Sequence, residues 1–201
     1  MTPPIADPSA FSDQLASALD AGDVAAVLLR LAEADERTLI NLVKTLAPPV
    51  QSKGAALLLD GRTELVARGG ADGAHLRGIA DFTAALETLR PDRIAGAGRL
   101  ASRHDAMVAA EQGADYVMFG EPDVTGKCPD FVAVEERIAW WAEVFEIPCV
   151  GYSDSLETIS LLVAAGADFI ALGSAVWREP DAVAETIREA SSHLRLPEPA
   201  T

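Results

Sequence analysis

The sequence predicts an α/β fold, a (β/α)8 TIM barrel whose first strand is lacking or truncated. Three observations predict it. Short apolar runs alternate with helical segments along the whole chain. The runs are continuously hydrophobic, as parallel strands buried on both faces require. A signature recurs at Gly22-Asp23, Gly70-Ala71-Asp72, Gly113-Ala114-Asp115 and Gly166-Ala167-Asp168. Each copy ends a helix and precedes a strand, and glycine suits the left-handed position where a helix stops. The copies lie about two strand–helix units apart, which fits a barrel better than a doubly wound sheet with a switch point. The open sheet is the alternative, with Gly-Ala-Asp then serving only as good loop chemistry.

The elements follow in order. Asp7-Pro8 places a cap before a proline at the first helical position, and Phe11, Leu15 and Leu19 follow on one face. The strand runs are Ala25–Leu29, Ala55–Leu59, Ala74–Leu76, Arg93–Gly96, Tyr116–Phe119, Cys149–Tyr152 and Phe169–Leu172. Helices are expected at 35–46, 62–68 and 81–89. Ser102 with Asp105 reads as a capping box. Asp130 caps a longer helix with the stripe Val134, Ile138, Trp141 and Phe145. Asp154 with Glu157 opens a segment carrying Leu156, Ile159 and Val163, and a last helix runs from about Asp181 to His193. That makes seven strands to eight helices, with the helix first. The missing strand would end at Thr2-Pro3-Pro4. Either the barrel is open at one seam, or residues upstream of Met1 complete it. In the open case the neighbouring strand edges stay exposed unless a partner or a terminal segment covers them.

The chain has 201 residues, 49% hydrophobic and 23% charged, and is read as one (β/α)8-type domain spanning 1–201. Its net charge is −15. Such a chain repels phosphate backbones and anionic lipid, so neither nucleic acid nor membrane is an expected partner. There is no apolar run of about 18 residues and no signal-peptide pattern. Two cysteines, Cys128 and Cys149, make no disulfide framework, and a reducing cytoplasm is the expected setting. The sequence leaves open whether the chain forms a homo-oligomer.

In a barrel, function sits at the C-terminal ends of the strands. These ends carry Arg30, Asp60, His75 with Arg77, Gly96 with Gly98, the loop Gly120–Lys127, Tyr152-Ser153-Asp154 and Gly173-Ser174. Gly173-Ser174 lets backbone N–H groups and a hydroxyl approach an anion. The 120–127 loop ends in a hydroxyl and a cation, Thr125 and Lys127, suited to a diphosphate, although its spacing is not that of a P-loop. Asp60 is a candidate Mg²⁺ carboxylate, or the start of an Asp-Gly turn. His75 reads as a hydrogen-bonded core residue rather than a base. Cys149 reads as a small buried hydrophobe, and Cys128 has no activating neighbour except Lys127.

At these residues the chain resembles the thiamine-phosphate synthase family, which includes the related thiazole tautomerases. The resemblance runs from Pro3 to about Trp177. It is carried by Gly70–Leu76, by Gly113–Gly120 and by Ala165–Ala175. It implies a TIM barrel and a transferase. That enzyme couples an aminopyrimidine diphosphate to a thiazole phosphate, with Mg²⁺ on the diphosphate. The resemblance casts Arg30 and Lys127 as the catalytic cations on the diphosphate, and Asp60 with Asp81 as metal carboxylates. Thr125, Ser153, Gly173 and Ser174 become substrate-binding groups. Phosphorylated small molecules are the implied partners.

Several family positions differ. Leu59 stands where the family has an amide, and Ala32 where it has a lysine. Ala80 falls on the second metal aspartate unless the loop is one residue longer, in which case Asp81 does. Gly98 replaces a serine. Tyr152-Ser153-Asp154 replaces an Ile-Gly-Gly phosphate motif, so Asp154 puts bulk and negative charge where a phosphate binds. These changes imply impaired or altered activity, or a non-catalytic barrel that binds a phosphorylated small molecule or a protein. The tautomerase branch fits less well, because the nearest histidine to its position, His104, falls within a helix.

Overall fold

Continuous apolar runs became strands and the segments between them became helices. The computed structural model describes residues 1–194, so residues 195–201 of the expected domain span lie outside the described residues. Its elements in order are β1 (Pro4–Ile5), α1 (Pro8–Ala21), β2 (Ala26–Leu31), α2 (Glu36–Gln51), β3 (Ala56–Asp60) and α3 (Thr63–Gly69). Then come β4 (Gly73–Arg77), α4 (Ile79–Leu89), β5 (Ile94–Gly98), α5 (Arg103–Glu111), β6 (Tyr116–Phe119) and α6 (Phe131–Val144). β7 (Cys149–Ser153), α7 (Ile159–Ala164), β8 (Phe169–Leu172) and α8 (Val183–His193) complete the series. The eight strands form one sheet in chain order, every pairing parallel. The sheet curls into a TIM-barrel-like body with helices outside. No helix among the described residues is long and apolar enough to cross a membrane.

Side chains alternate across the sheet as strand geometry requires. Leu28, Leu58, Met118, Val150 and Tyr152 pack together on the concave face. Their neighbours Leu29, Leu57, Leu59, Val117 and Phe119 face outward into the layer shared with the helices. Both faces are therefore apolar, which is why the runs are unbroken in the sequence.

The expected strand count needs correction. The first strand is present, though only two residues long. Pro4 pairs with Arg30 and Ile5 with Leu31. Proline has no N–H to give a ladder, so the segment uses other groups. The Thr2 amide donates to the Leu28 carbonyl at 3.0 Å, and the Thr2 hydroxyl accepts the Arg30 amide at 3.0 Å. On its other side the Met1 nitrogen donates to the Leu172 carbonyl at 2.7 Å, and Trp177 Nε1 donates to the Met1 carbonyl. Among the described residues, these bonds join Met1, ahead of β1, to the end of β8 and the turn after it. β8 is the least buried of the long strands, with Phe169 47% exposed.

Two further expectations shift. The helix expected at 35–46 continues to Gln51 through Pro48 and Pro49. Those prolines fall in its last turn, and the fully buried Val50 holds that turn against the core. Asp154 does not cap the helix after β7. Ser155 does, accepting the Glu157 amide, and Asp154 is free to turn elsewhere.

The Gly-Ala-Asp repeat has a definite task. The amide of Asp72 donates to the Leu57 carbonyl at 2.8 Å while its carboxylate accepts the Leu57 amide at 2.7 Å. Asp115 holds Ala95 in the same two-sided way, and Asp168 holds Cys149. Each aspartate fastens the strand preceding its own at the bottom of the barrel. Asp23 is exposed and makes no such bond. Removing the Asp168 carboxylate leaves a part-buried amide without an acceptor, a loss of about 1–3 kcal/mol. Urea unfolding of Asp168→Ala is expected to show that loss, and Asp23→Ala to stay within about 0.5 kcal/mol of the parent. Equal effects at the two positions would contradict the clamp.

Candidate functional site

The top of the barrel gathers the polar residues that the strand ends carry. A cavity of about 350 Å³ opens there, lined among others by Arg30, Asp60, Arg77, Arg99, Glu121 and Thr125. A second, of about 510 Å³, adjoins it across Arg99 and Glu121 and takes in Lys127, Cys128 and Arg137.

Asp60 ends β3 with its side chain 5% exposed. Arg77, from the end of the neighbouring β4, spans it. Its Nε donates to Oδ1 at 2.8 Å and its Nη2 donates to Oδ2. Arg30 Nε from β2 stands 3.7 Å from the same Oδ2. The fork to Asp60 and the nearby charges of Asp60, Glu121 and Asp81 hold the Arg77 guanidinium above its ordinary pKa, against partial burial. One carboxylate therefore serves two guanidiniums, and three arginines share this cavity with three acids, Asp60, Glu121 and Asp123.

A buried relay lies one strand further. Glu121 follows β6 and is 5% exposed. Its Oε1 is 2.8 Å from His75 Nε2 and its Oε2 accepts the Arg99 amide at 2.8 Å. A carboxylate can only accept, so Nε2 of His75 carries a proton. Nδ1 then faces the Tyr116 hydroxyl at 2.9 Å. Burial, and next the charge of Glu121, push the Tyr116 phenol far above its usual range. Gly98 makes the relay feasible, because a Cβ there would overlap both the Glu121 carboxylate and the His75 ring. Arg99 follows with φ of +49°, a left-handed value that is uncommon for a residue with a side chain. Its Nε is buried with no hydrogen-bond partner among the described residues.

The seat after β8 is filled from within. Asp154 Oδ1 accepts the Ser174 amide at 3.0 Å, the Ser174 hydroxyl at 3.3 Å and the Tyr152 hydroxyl at 2.8 Å. Gly173 must lack a side chain, since a Cβ would strike Tyr152 and Asp154. Burial and the Asp154 bond raise the Tyr152 phenol, and burial with the Asp154 charge raises the Cys128 thiol. The Cys128 sulfur lies 3.9 Å from Asp154 Oδ2, whose charge disfavours a thiolate.

Of the residues expected from sequence, Arg30, Asp60 and Thr125 line the first cavity and Lys127 lines the second. Thr125 spends its hydroxyl on Asp123 Oδ1 at 2.6 Å, and the Lys127 amide donates to the same oxygen, so Asp123 shapes the loop. Ser153 turns its hydroxyl to the Ser155 carbonyl at 2.6 Å, inside the β7–α7 turn. Asp81 is exposed on the first turn of α4 and lines neither cavity. Gly173 and Ser174 meet Asp154 rather than the arginines. Arg99 lies outside the strand-end set expected from sequence, and Glu121 enters it only as part of the 120–127 loop. The signal for Arg99 was available, as a cation one residue past the β5 end, but its left-handed backbone left no pattern.

If Asp154 competes for the Ser174 donors, removing it should open them to an anion. Isothermal titration of inorganic phosphate into Asp154→Gly is expected to show affinity raised about tenfold, or 1.4 kcal/mol. Unchanged or weaker binding would show that Asp154 does not compete for that seat.

The family profile described as "Thiamine monophosphate synthase" matches residues 1–176. The thiamine-phosphate synthase of Rhodospirillum centenum is 44% identical over 97% of this chain and 96% of its own length. That of Hyphomonas neptunium is 39% identical over 94% and 89%. Among solved structures, the thiamine phosphate pyrophosphorylase from Pyrococcus furiosus superposes with a TM-score of 0.77 at 26% identity. It covers 90% of this chain and 88% of that one.

Proposed function

The chain belongs to the thiamine monophosphate synthase family, and from that premise we propose that it couples an aminopyrimidine diphosphate to a thiazole phosphate. The observation that carries the reading is the convergence of Arg30, Arg77 and Arg99 on one cavity at the strand ends of a chain with net charge −15. In the coupling, the bond from the pyrimidine methylene carbon to the diphosphate oxygen breaks. Pyrophosphate leaves with the electron pair, and the thiazole nitrogen gives its lone pair to the methylene carbon. The guanidiniums of Arg30, Arg77 and Arg99 stabilise the charge gathering on the leaving group, where fixed charge counts most. Arg30 and Lys127 serve as catalytic cations, and Thr125 borders the diphosphate. Gly173 and Ser174 receive the thiazole phosphate once Asp154 yields their donors. Ser153 supports that turn. The working unit is one domain spanning 1–201, with phosphorylated small molecules as its partners and the cytoplasm as its setting. Nothing in the geometry favours a non-catalytic binding barrel.

Mg²⁺ on the diphosphate is the metal chemistry the family implies. When bound, such an ion neutralises charge on the leaving oxygens. The expected carboxylates were Asp60 and Asp81. Both oxygens of Asp60 are engaged by Arg77, and Asp81 is exposed outside the cavity. Among the described residues no three acidic, histidine or cysteine side chains form a metal-ligating group. The residues as arranged do not fit a metal centre, and the charge falls to the guanidiniums.

A coupling assay with both substrates, run beside an active control enzyme, tests the function. Thiamine phosphate and pyrophosphate are expected in equal amounts. Arg30→Ala is expected to lower kcat/KM by about tenfold or more, the cost of a charged hydrogen bond lost from the transition state. A folded sample with no turnover would overturn the reading.

A further inference from the structure

We propose that Arg77 takes the place of a divalent cation, so that Arg30, Arg77 and Arg99 hold a diphosphate without metal. This rests on the transferase reading and specifies how its diphosphate is bound.

Three observations lead there. First, the carboxylates that line the cavity are already used. Asp60 is forked by Arg77, Glu121 is divided between His75 and the Arg99 amide, and Asp123 closes its own loop. A hard cation needs several oxygens and usually takes one or two carboxylates together with the phosphates. To reach Asp60 it would have to expel one guanidinium while standing beside a second. Second, donors are in surplus. A guanidinium has five N–H groups in a planar fork, and Arg77 spends Nε and one Nη on Asp60. Its remaining donors and the Nε of Arg99 have no hydrogen-bonded carboxylate among the described residues, and Arg30 meets Asp60 only at 3.7 Å, beyond hydrogen-bond distance. Third, the fork geometry matches phosphate oxygens in pairs, which a lysine would not do. Asp60 then acts as a positioning residue that fixes Arg77 before the ligand arrives.

The probe is inorganic pyrophosphate, titrated into the full chain by calorimetry, once in EDTA and once in excess Mg²⁺. The wild-type chain is expected to bind in EDTA with an affinity within about threefold of that in Mg²⁺. Arg77→Gly frees Asp60 and is expected to weaken binding in EDTA by about tenfold or more, with Mg²⁺ restoring it. Arg77→Lys keeps the charge without the fork and is expected to fall between the two. Circular dichroism confirms that each variant is folded. Wild-type binding that vanishes in EDTA and returns with Mg²⁺ would overturn the inference while leaving the transferase reading intact. Absence of binding in both conditions would also overturn it, and the coupling assay then judges the reading separately.

Discussion

Asp60 lies at the mouth of the barrel with its carboxylate almost wholly buried, and Arg77 covers both of its oxygens from the next strand. The rest of the site is arranged around that pair. A buried carboxylate is costly unless paired, and Arg77 supplies the pairing. Arg30 stands over the same carboxylate, and the strand-end glycine, Gly98, leaves room for Glu121 to anchor Arg99. Asp60 thus positions two guanidiniums, and Glu121 holds the backbone of the third arginine. The gathering of arginines at the mouth follows from how the negative groups are placed, within a chain whose overall charge is strongly negative.

The two ends of the barrel use aspartate differently. At the bottom, Asp72, Asp115 and Asp168 spend their carboxylates on strand amides and lock alternate strands. At the top, Asp60 accepts from Arg77, and Asp154 accepts from Ser174 and Tyr152. Rigidity at one end permits strained or self-occupied geometry at the other. Arg99 keeps its left-handed backbone because Glu121 grips its amide. Asp154 sits on the Ser174 donors because Ser155 has taken over the helix cap.

Much of this was legible in the sequence. The seven long strands were readable because parallel strands buried on both faces leave continuous apolar runs. The caps at Asp7, Ser102 and Asp130 were readable because capping is local. The first strand was not, because two residues after Thr2-Pro3 make no run, and its bonds come from Thr2 and Met1 to distant strands. The cation at Arg77 was visible, but its partner was not, since the fork joins residues from different strands. Asp81 was expected near a metal through loop alignment, yet one residue of helical rotation leaves it facing solvent. The resemblance carried the family and the reaction. What it did not carry is the ion pair between Asp60 and Arg77, which depends on one side chain reaching across from the neighbouring strand.

The most direct measurement is a crystal structure of the full chain grown with pyrophosphate and thiamine phosphate in the presence of EDTA. The account predicts pyrophosphate oxygens on the guanidiniums of Arg30, Arg77 and Arg99, with Arg77 still joined to Asp60. Pyrophosphate bound away from these arginines, or Arg77 turned off Asp60, would contradict it.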